Sequence, residues 1–226
     1  MKNLEQRLEK IDMQFLAMVK NVERFLEINI LVLTSQKFNT NNISISKNIE
    51  DNINQLDLSI REDSIITMAR FQPAAYHLRK LVMITDSSRL LERMGDLLKA
   101  NLILINSILE QLPPNLFEQL IPLTLKIKHI FSLYIKGVID KDTILLYSLI
   151  ELDLEIDLIV NNNFKFYINY MQENPSLIEI VSTLLFINKK FERFSDHIIH
   201  LTKDSIYAID GSNLRKEELL KNIDWL

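Results

Sequence analysis

Two stretches of this chain are copies of one another: Leu91-Glu92-Arg93-Met94-Gly95-Asp96 returns as Phe191-Glu192-Arg193-Phe194-Ser195-Asp196, one hundred residues further on. Such a repeat implies two copies of one structural unit, so the fold carries an internal duplication. The material for that fold is helical. Only 3 Gly and 5 Pro occur in 226 residues, too few for the many tight turns of an all-β domain. Apolar residues also recur at three- and four-residue spacing over long runs, the period of a helix face.

In Leu4, Leu8, Ile11, Phe15, Met18, Val22 and Phe25 that spacing predicts a first helix over 3–34. A second helix, with apolar positions Ile53, Leu56, Ile60, Ile65 and Met68, is expected over 43–70, and a third over 73–109. The Pro113-Pro114 pair interrupts helix at the midpoint and marks the boundary between units. The second unit repeats the plan: a helix from Pro114 to Lys136 ending near Gly137, one from Asp140 to Gln172, and a last from Pro175 to Ile209 with Gly211 as its stop. The expected fold is all-α, two tandem homologous three-helix bundles of long antiparallel helices over 1–112 and 113–211. A C-terminal tail, 212–226, carries a short amphipathic pattern with Leu219 and the only Trp, Trp225, and reads as a packing tail.

Charge and composition remove several functions. With 26 basic and 30 acidic residues the formal net charge is −4, which gives none of the basic field that nucleic acid requires. Cysteine is absent, so disulfides, thiolate ligands and cysteine nucleophiles are excluded and any metal must be held by oxygen or imidazole. The N-terminal residues are charged and amphipathic, unlike a secretion signal. No apolar run approaches the ~20 residues that span a bilayer. The expectation is a soluble cytoplasmic protein without membrane insertion.

Each copy of the repeat places a Glu and an Asp four residues apart, neighbours on one helix face. Like charges so placed destabilise a helix by roughly 0.2 to 0.5 kcal/mol, and a bound cation would compensate. In the second unit the preceding helix offers Asp153 and Asp157 at the same spacing. Two antiparallel helices then present Asp153, Asp157, Glu192 and Asp196 to one place, an oxygen-rich set suited to Mg, Mn or Fe ions. His200 continues the line of Glu192 and Asp196 and favours a transition metal, with Fe, Mn or Zn compatible. The first unit offers Glu92 and Asp96 opposite Glu50 and Asn54, with Ala100 where the second has His200. One charge and the imidazole are missing there, so tighter binding is expected in the second unit. Gly95 and Ser195 are small enough for a neighbouring helix or ligand to approach closely.

The string Ala69-Arg70-Phe71-Gln72-Pro73-Ala74-Ala75-Tyr76-His77-Leu78-Arg79, followed by the Leu91 to Asp96 segment, resembles the PhoU family of bacterial phosphate regulators. Phe191 to His197, then Ile206-Tyr207 and Gly211, resemble that family's closing segment. The resemblance covers both repeats in order. It implies two three-helix bundles, each with an acidic motif on two helices that holds a metal cluster, here at Glu50, Asn54, Glu92 and Asp96 and at Asp153, Asp157, Glu192 and Asp196. It implies a regulator rather than an enzyme: a negative regulator of phosphate uptake and of the phosphate-starvation response. Its implied partners are the ATPase subunit of a phosphate ABC transporter and a phosphate sensor histidine kinase, and it implies a homodimer. Two other readings compete. One is a metal-free helical adaptor regulating another transporter. The other is a carboxylate-bridged di-iron oxidase, whose usual Glu-x-x-His pairs are absent from this sequence.

Overall fold

The computed structural model describes residues 2–111 and 113–214; the tail positions Leu219 and Trp225 lie outside them. Three long helices form the first unit: α1 (Lys2–Ser35), α2 (Thr40–Phe71) and α3 (Ala75–Ile108). At 34 residues, α1 is about 50 Å long at 1.5 Å per residue, and Leu8, Ile11, Phe15, Met18, Val22 and Phe25 form its buried stripe. Asn39 caps α2, its Oδ1 accepting the Asn42 N–H at 2.8 Å. At the other end Gln72 adopts the left-handed conformation (φ 48°) and returns its N–H to the Met68 carbonyl. Pro73 follows, so the helix cannot continue. Among the expected core positions of α2, Ile53 and Ile60 are buried, whereas Ile65 is 59% exposed and lies on the outer face.

The second unit follows the same route with more breaks. Pro114 opens a short helix, α4 (Pro114–Glu118), and Pro122 sits in the first turn of α5 (Ile121–Asp140). The single helix expected over this stretch is therefore two, and it runs through Gly137 to a left-handed cap at Lys141. The helix expected from Asp140 to Gln172 is also two, α6 (Thr143–Glu151) and α7 (Asp153–Glu173). At the joint, Leu152 and Glu155 donate to carbonyls only three residues back, at 3.2 Å each, so the chain tightens into a 3₁₀-like turn. Pro175 opens a 3₁₀ turn ahead of α8 (Ile178–Asp210), and Gly211 (φ 88°) ends it as expected.

The units share one core. Lys128 meets Glu27 at 2.8 Å, and the Ser132 hydroxyl lies 3.5 Å from Glu23, so α1 and α5 run antiparallel. The most extensive helix pairing in the molecule joins α3 to α8. Phe131 of α5 meets Phe194 of α8 edge to face, with ring centroids 5.8 Å apart. Within this arrangement α2 packs on α1 and α3, and α7 on α8, α5 and α6. The acidic residues of both repeats therefore lie at two matching seams, α2 with α3 and α7 with α8. No strand occurs among the described residues.

Candidate metal centre

At the α7–α8 seam the register is fixed by two buried asparagines. Asn163 donates to the Asn188 side-chain oxygen at 3.0 Å, and Asn188 donates to the Val160 carbonyl at 3.1 Å. From there, running back along α7 and forward along α8 brings Asp153 and Asp157 beside Glu192 and Asp196. The charges of Asp157 and Glu192 bear on both Asp153 and Asp196. Burial raises the Asp153 carboxyl above its ordinary range, and Asp157 and Glu192 raise it further against the opposing pull of Lys203. Burial likewise raises Asp196, followed by Asp153, Glu192 and Asp157, with Lys189 opposing. Asp153 Oδ1 is buried without a hydrogen-bond partner. Lys189 Nζ lies 2.5 Å from Glu192 Oε2.

His200 is exposed and its ring lies tilted by 48° to that of His197, ring centroids 6.3 Å apart. Burial pulls His197 down to about 4, and His200, Arg93 and Arg193 add to that effect. The arginines of both repeats, Arg93 on α3 and Arg193 on α8, thus act on the same imidazole.

The first unit is arranged differently. Glu50 Oε1 is engaged by Lys99 Nζ at 2.5 Å, while Asn54 and Asp96 are exposed. Burial raises Glu92, and Asp96 and Asp57 raise it further, opposed by Arg93 and Arg61. Asp57 is an acid the sequence reading passed over. It is 6% exposed, takes Arg61 Nη2 at 2.6 Å, and accepts the Ser88 hydroxyl at 2.7 Å. Its signal was its place on α2, three residues beyond Asn54 and so on the same helical face. Gly95 serves helix packing, since a Cβ there would lie 3.3 Å from Ile53 Cδ1 on α2. Its counterpart Ser195 is fully buried with its Oγ unpartnered.

Among the described residues no group of three or more carboxylates and imidazoles is posed to hold one metal ion. The second-unit carboxylates are neighbours within range of one another's charge, without being drawn around a single point. Their chemistry nevertheless suits a hard cation: four oxygen donors from two helices, and a buried carboxylate oxygen that no protein donor satisfies. In the first unit Lys99 and Arg61 already neutralise Glu50 and Asp57.

Two tandem units of long helices packed around one core define the class of this fold. The PhoU domain family matches it twice, over residues 18–100 and 123–204. The chain belongs to the PhoU family. It is 26% identical over 215 residues to the phosphate-specific transport system accessory protein PhoU of Escherichia coli, covering 92% of this chain and 86% of that one. With the PhoU homologue of Aquifex aeolicus it shares 25% identity over 221 residues, 96% of this chain and 97% of the relative. The crystal structure of PhoU from Pseudomonas aeruginosa superposes with a TM-score of 0.86 at 24% identity, over 92% of this chain and 99% of that one. The fold is the same.

Proposed function

We propose that this protein is an accessory regulator of phosphate transport that restrains uptake and the phosphate-starvation response. It acts in the cytoplasm as a homodimeric adaptor between the ATPase subunit of a phosphate ABC transporter and a sensor histidine kinase. The observation that carries the reading is the family match in both repeats, together with relatives named as accessory proteins of phosphate-specific transport. Among the described residues no helix is long and apolar enough to cross a membrane, which accords with an adaptor that meets a transporter from outside the bilayer. The reading is regulatory and not enzymatic, with the two bundles divided at residues 112 and 113.

In this reading Asp153, Asp157, Glu192 and Asp196 hold Fe, Mn, Zn or Mg ions in the second unit, with His200 at the margin of the site. Glu50, Asn54, Glu92 and Asp96 form the weaker counterpart. A bound cation supplies positive charge that offsets the mutual repulsion of the carboxylates, and coordination positions that an oxyanion or a partner's acidic group can take. The chain's own residues do the rest. Asn163 and Asn188 hold the two helices in register, and Lys189 and Lys203 limit the negative charge while the site is empty of cations. Replacing Asp153, Asp157 and Asp196 with Asn and Glu192 with Gln should abolish co-purifying metal, measured by mass spectrometry on protein prepared without chelator or affinity tag. The same variant should fail to restore repression of the transporter genes in a deletion strain grown on high phosphate. Unchanged metal content with lost repression would sink the metal assignment alone. Full repression by the metal-free variant would favour the metal-free adaptor.

A further inference from the structure

The cleft that opens beside α2 and α3 near the α1–α2 turn belongs to the first repeat alone. Its volume is about 400 Å³. Phe25 forms a fully buried floor, and Phe38, Leu102, Ile43 and Ile103 line it, the last two being 52% and 61% exposed. The register that sets Glu50 against Asp153 sets Ile43 against Leu146 and Ser46 against Leu149. In the second unit both leucines are fully buried, and Leu146 sits so close to α5 that a Cβ on Gly137 would meet it at 2.7 Å. That copy is closed. In the first, a serine stands where the leucine would fill the space.

Five polar residues line the apolar opening: Ser46, Lys47, Glu50, Lys99 and Asn106. Ser46 is 8% exposed, lines the cleft, and its Oγ has no hydrogen-bond partner; buried hydroxyls are rarely left so. Lys99 lines it as well, with its ammonium on Glu50. Lys47 is exposed and makes no ion pair among the described residues. A mostly apolar cleft of this size with a few converging polar groups is the usual form of a small-molecule site. We propose that the cleft binds a small amphiphilic anion of the medium-chain carboxylate type. Its apolar body lies between Ile43 and Ile103, in the space that the small side chain of Ser46 leaves open above the Phe25 floor, and its head takes the Lys47 charge. The cleft shares Glu50, held by Lys99, with the first-unit cation reading and is otherwise lined by different residues.

The test is calorimetric titration of the full chain with octanoate and, separately, 1-octanol. Octanoate should saturate one site per chain and bind at least fivefold more tightly than the alcohol. Ser46→Leu, which installs the residue of the closed repeat, should weaken octanoate at least tenfold with a melting temperature unchanged or raised. Lys47→Glu lies on the surface and leaves folding untouched; it should weaken octanoate at least threefold and leave 1-octanol unaltered. The proposal is overturned if octanoate does not bind, if the alcohol binds as tightly, or if Lys47→Glu binds octanoate like the wild type. Saturation by an acidic leucine-containing peptide without octanoate binding would also overturn it, in favour of a protein-docking cleft. Should Ser46→Leu fail to fold by circular dichroism, the Lys47→Glu arm and the octanoate to octanol ratio decide the matter.

Discussion

Asp63 shows how single residues set the acid limit of this fold. Its carboxylate, 8% exposed, accepts Lys10 Nζ at 2.6 Å, Gln14 Nε2 at 3.0 Å and Arg7 Nη1 at 3.3 Å, tying α2 to α1. Burial pushes its pKa up, yet the Lys10 and Gln14 hydrogen bonds and the charges of Lys10 and Arg7 outweigh burial, so the net direction is down from 3.8. A carboxylate whose folded value lies below its unfolded value contributes its full stability above the unfolded value. That contribution fades as pH falls through the folded value. Asp63→Asn should therefore cost about 1–3 kcal/mol at pH 7 through the loss of charge-assisted hydrogen bonds. Urea unfolding of both proteins should show that gap shrinking below about pH 4. A gap that persists undiminished well below that pH would show that the ion cluster is not what the substitution removed. At this scale the sequence revealed only part of the site. The i, i+4 acid pairs were visible because they repeat, whereas the Ser88 contact with Asp57 and the Lys99 contact with Glu50 depend on cross-helix register that one helix cannot reveal.

Among the elements, α1, α2 and α3 were legible to within a few residues because long periodic stripes, a polar break and Pro73 agree with one another. The second unit was less so. Nothing in Glu151-Leu152-Asp153 signals a break, as all three residues are compatible with helix, and the joint between α6 and α7 arises instead from seating α6. Leu146 and Leu149 must be buried against α5 and α8 while α7 keeps its acids beside those of α8. Gly137 was misread for the same reason. A glycine near a helix end suggests a stop, but here it lies inside α5 because Leu146 needs the room. A Cβ at 137 would lie 2.7 Å from Leu146 Cδ2 and 2.9 Å from Cγ, and the Cγ cannot swing away by rotation of a terminal methyl. Overpacking of this kind costs typically 1–3 kcal/mol, against a helix-propensity gain for alanine of about 1 kcal/mol. Gly137→Ala should be destabilising by up to about 2 kcal/mol and Gly95→Ala, facing only the flexible tip of Ile53 at 3.3 Å, by far less. Thermal melts of the two variants compare them directly. Equal stability would mean that α6 is free to shift outward, and with it the start of α7 that carries Asp153.

Over the whole molecule, duplication and cooperativity pull in different directions. The sequence shows two units, which suggests two folding modules, but their most extensive helix pairing is α3 with α8, across the boundary. A second contact between the units, α1 with α5, covers the other side. Tyr134 of α5, fully buried, stacks on Phe131 and reaches Ser205 of α8 at 3.3 Å, while Phe131 meets Phe194 edge to face. The aromatic cluster thus lies in the second unit, on the helix that the first unit packs against. Truncating a buried phenylalanine to alanine costs about 3–5 kcal/mol. If the units form one cooperative body, Phe194→Ala should lower the protection of the slowest-exchanging amides in α2 as much as in α7, although α2 is not among the helices that pack on α8. Hydrogen exchange followed by mass spectrometry reads both helices in one sample. Equal loss would mean that a disturbance at one acidic seam is transmitted to the other through α3 and α8. Loss confined to α5, α7 and α8 would show the repeats to be energetically separate, with neither acidic seam sensing the other.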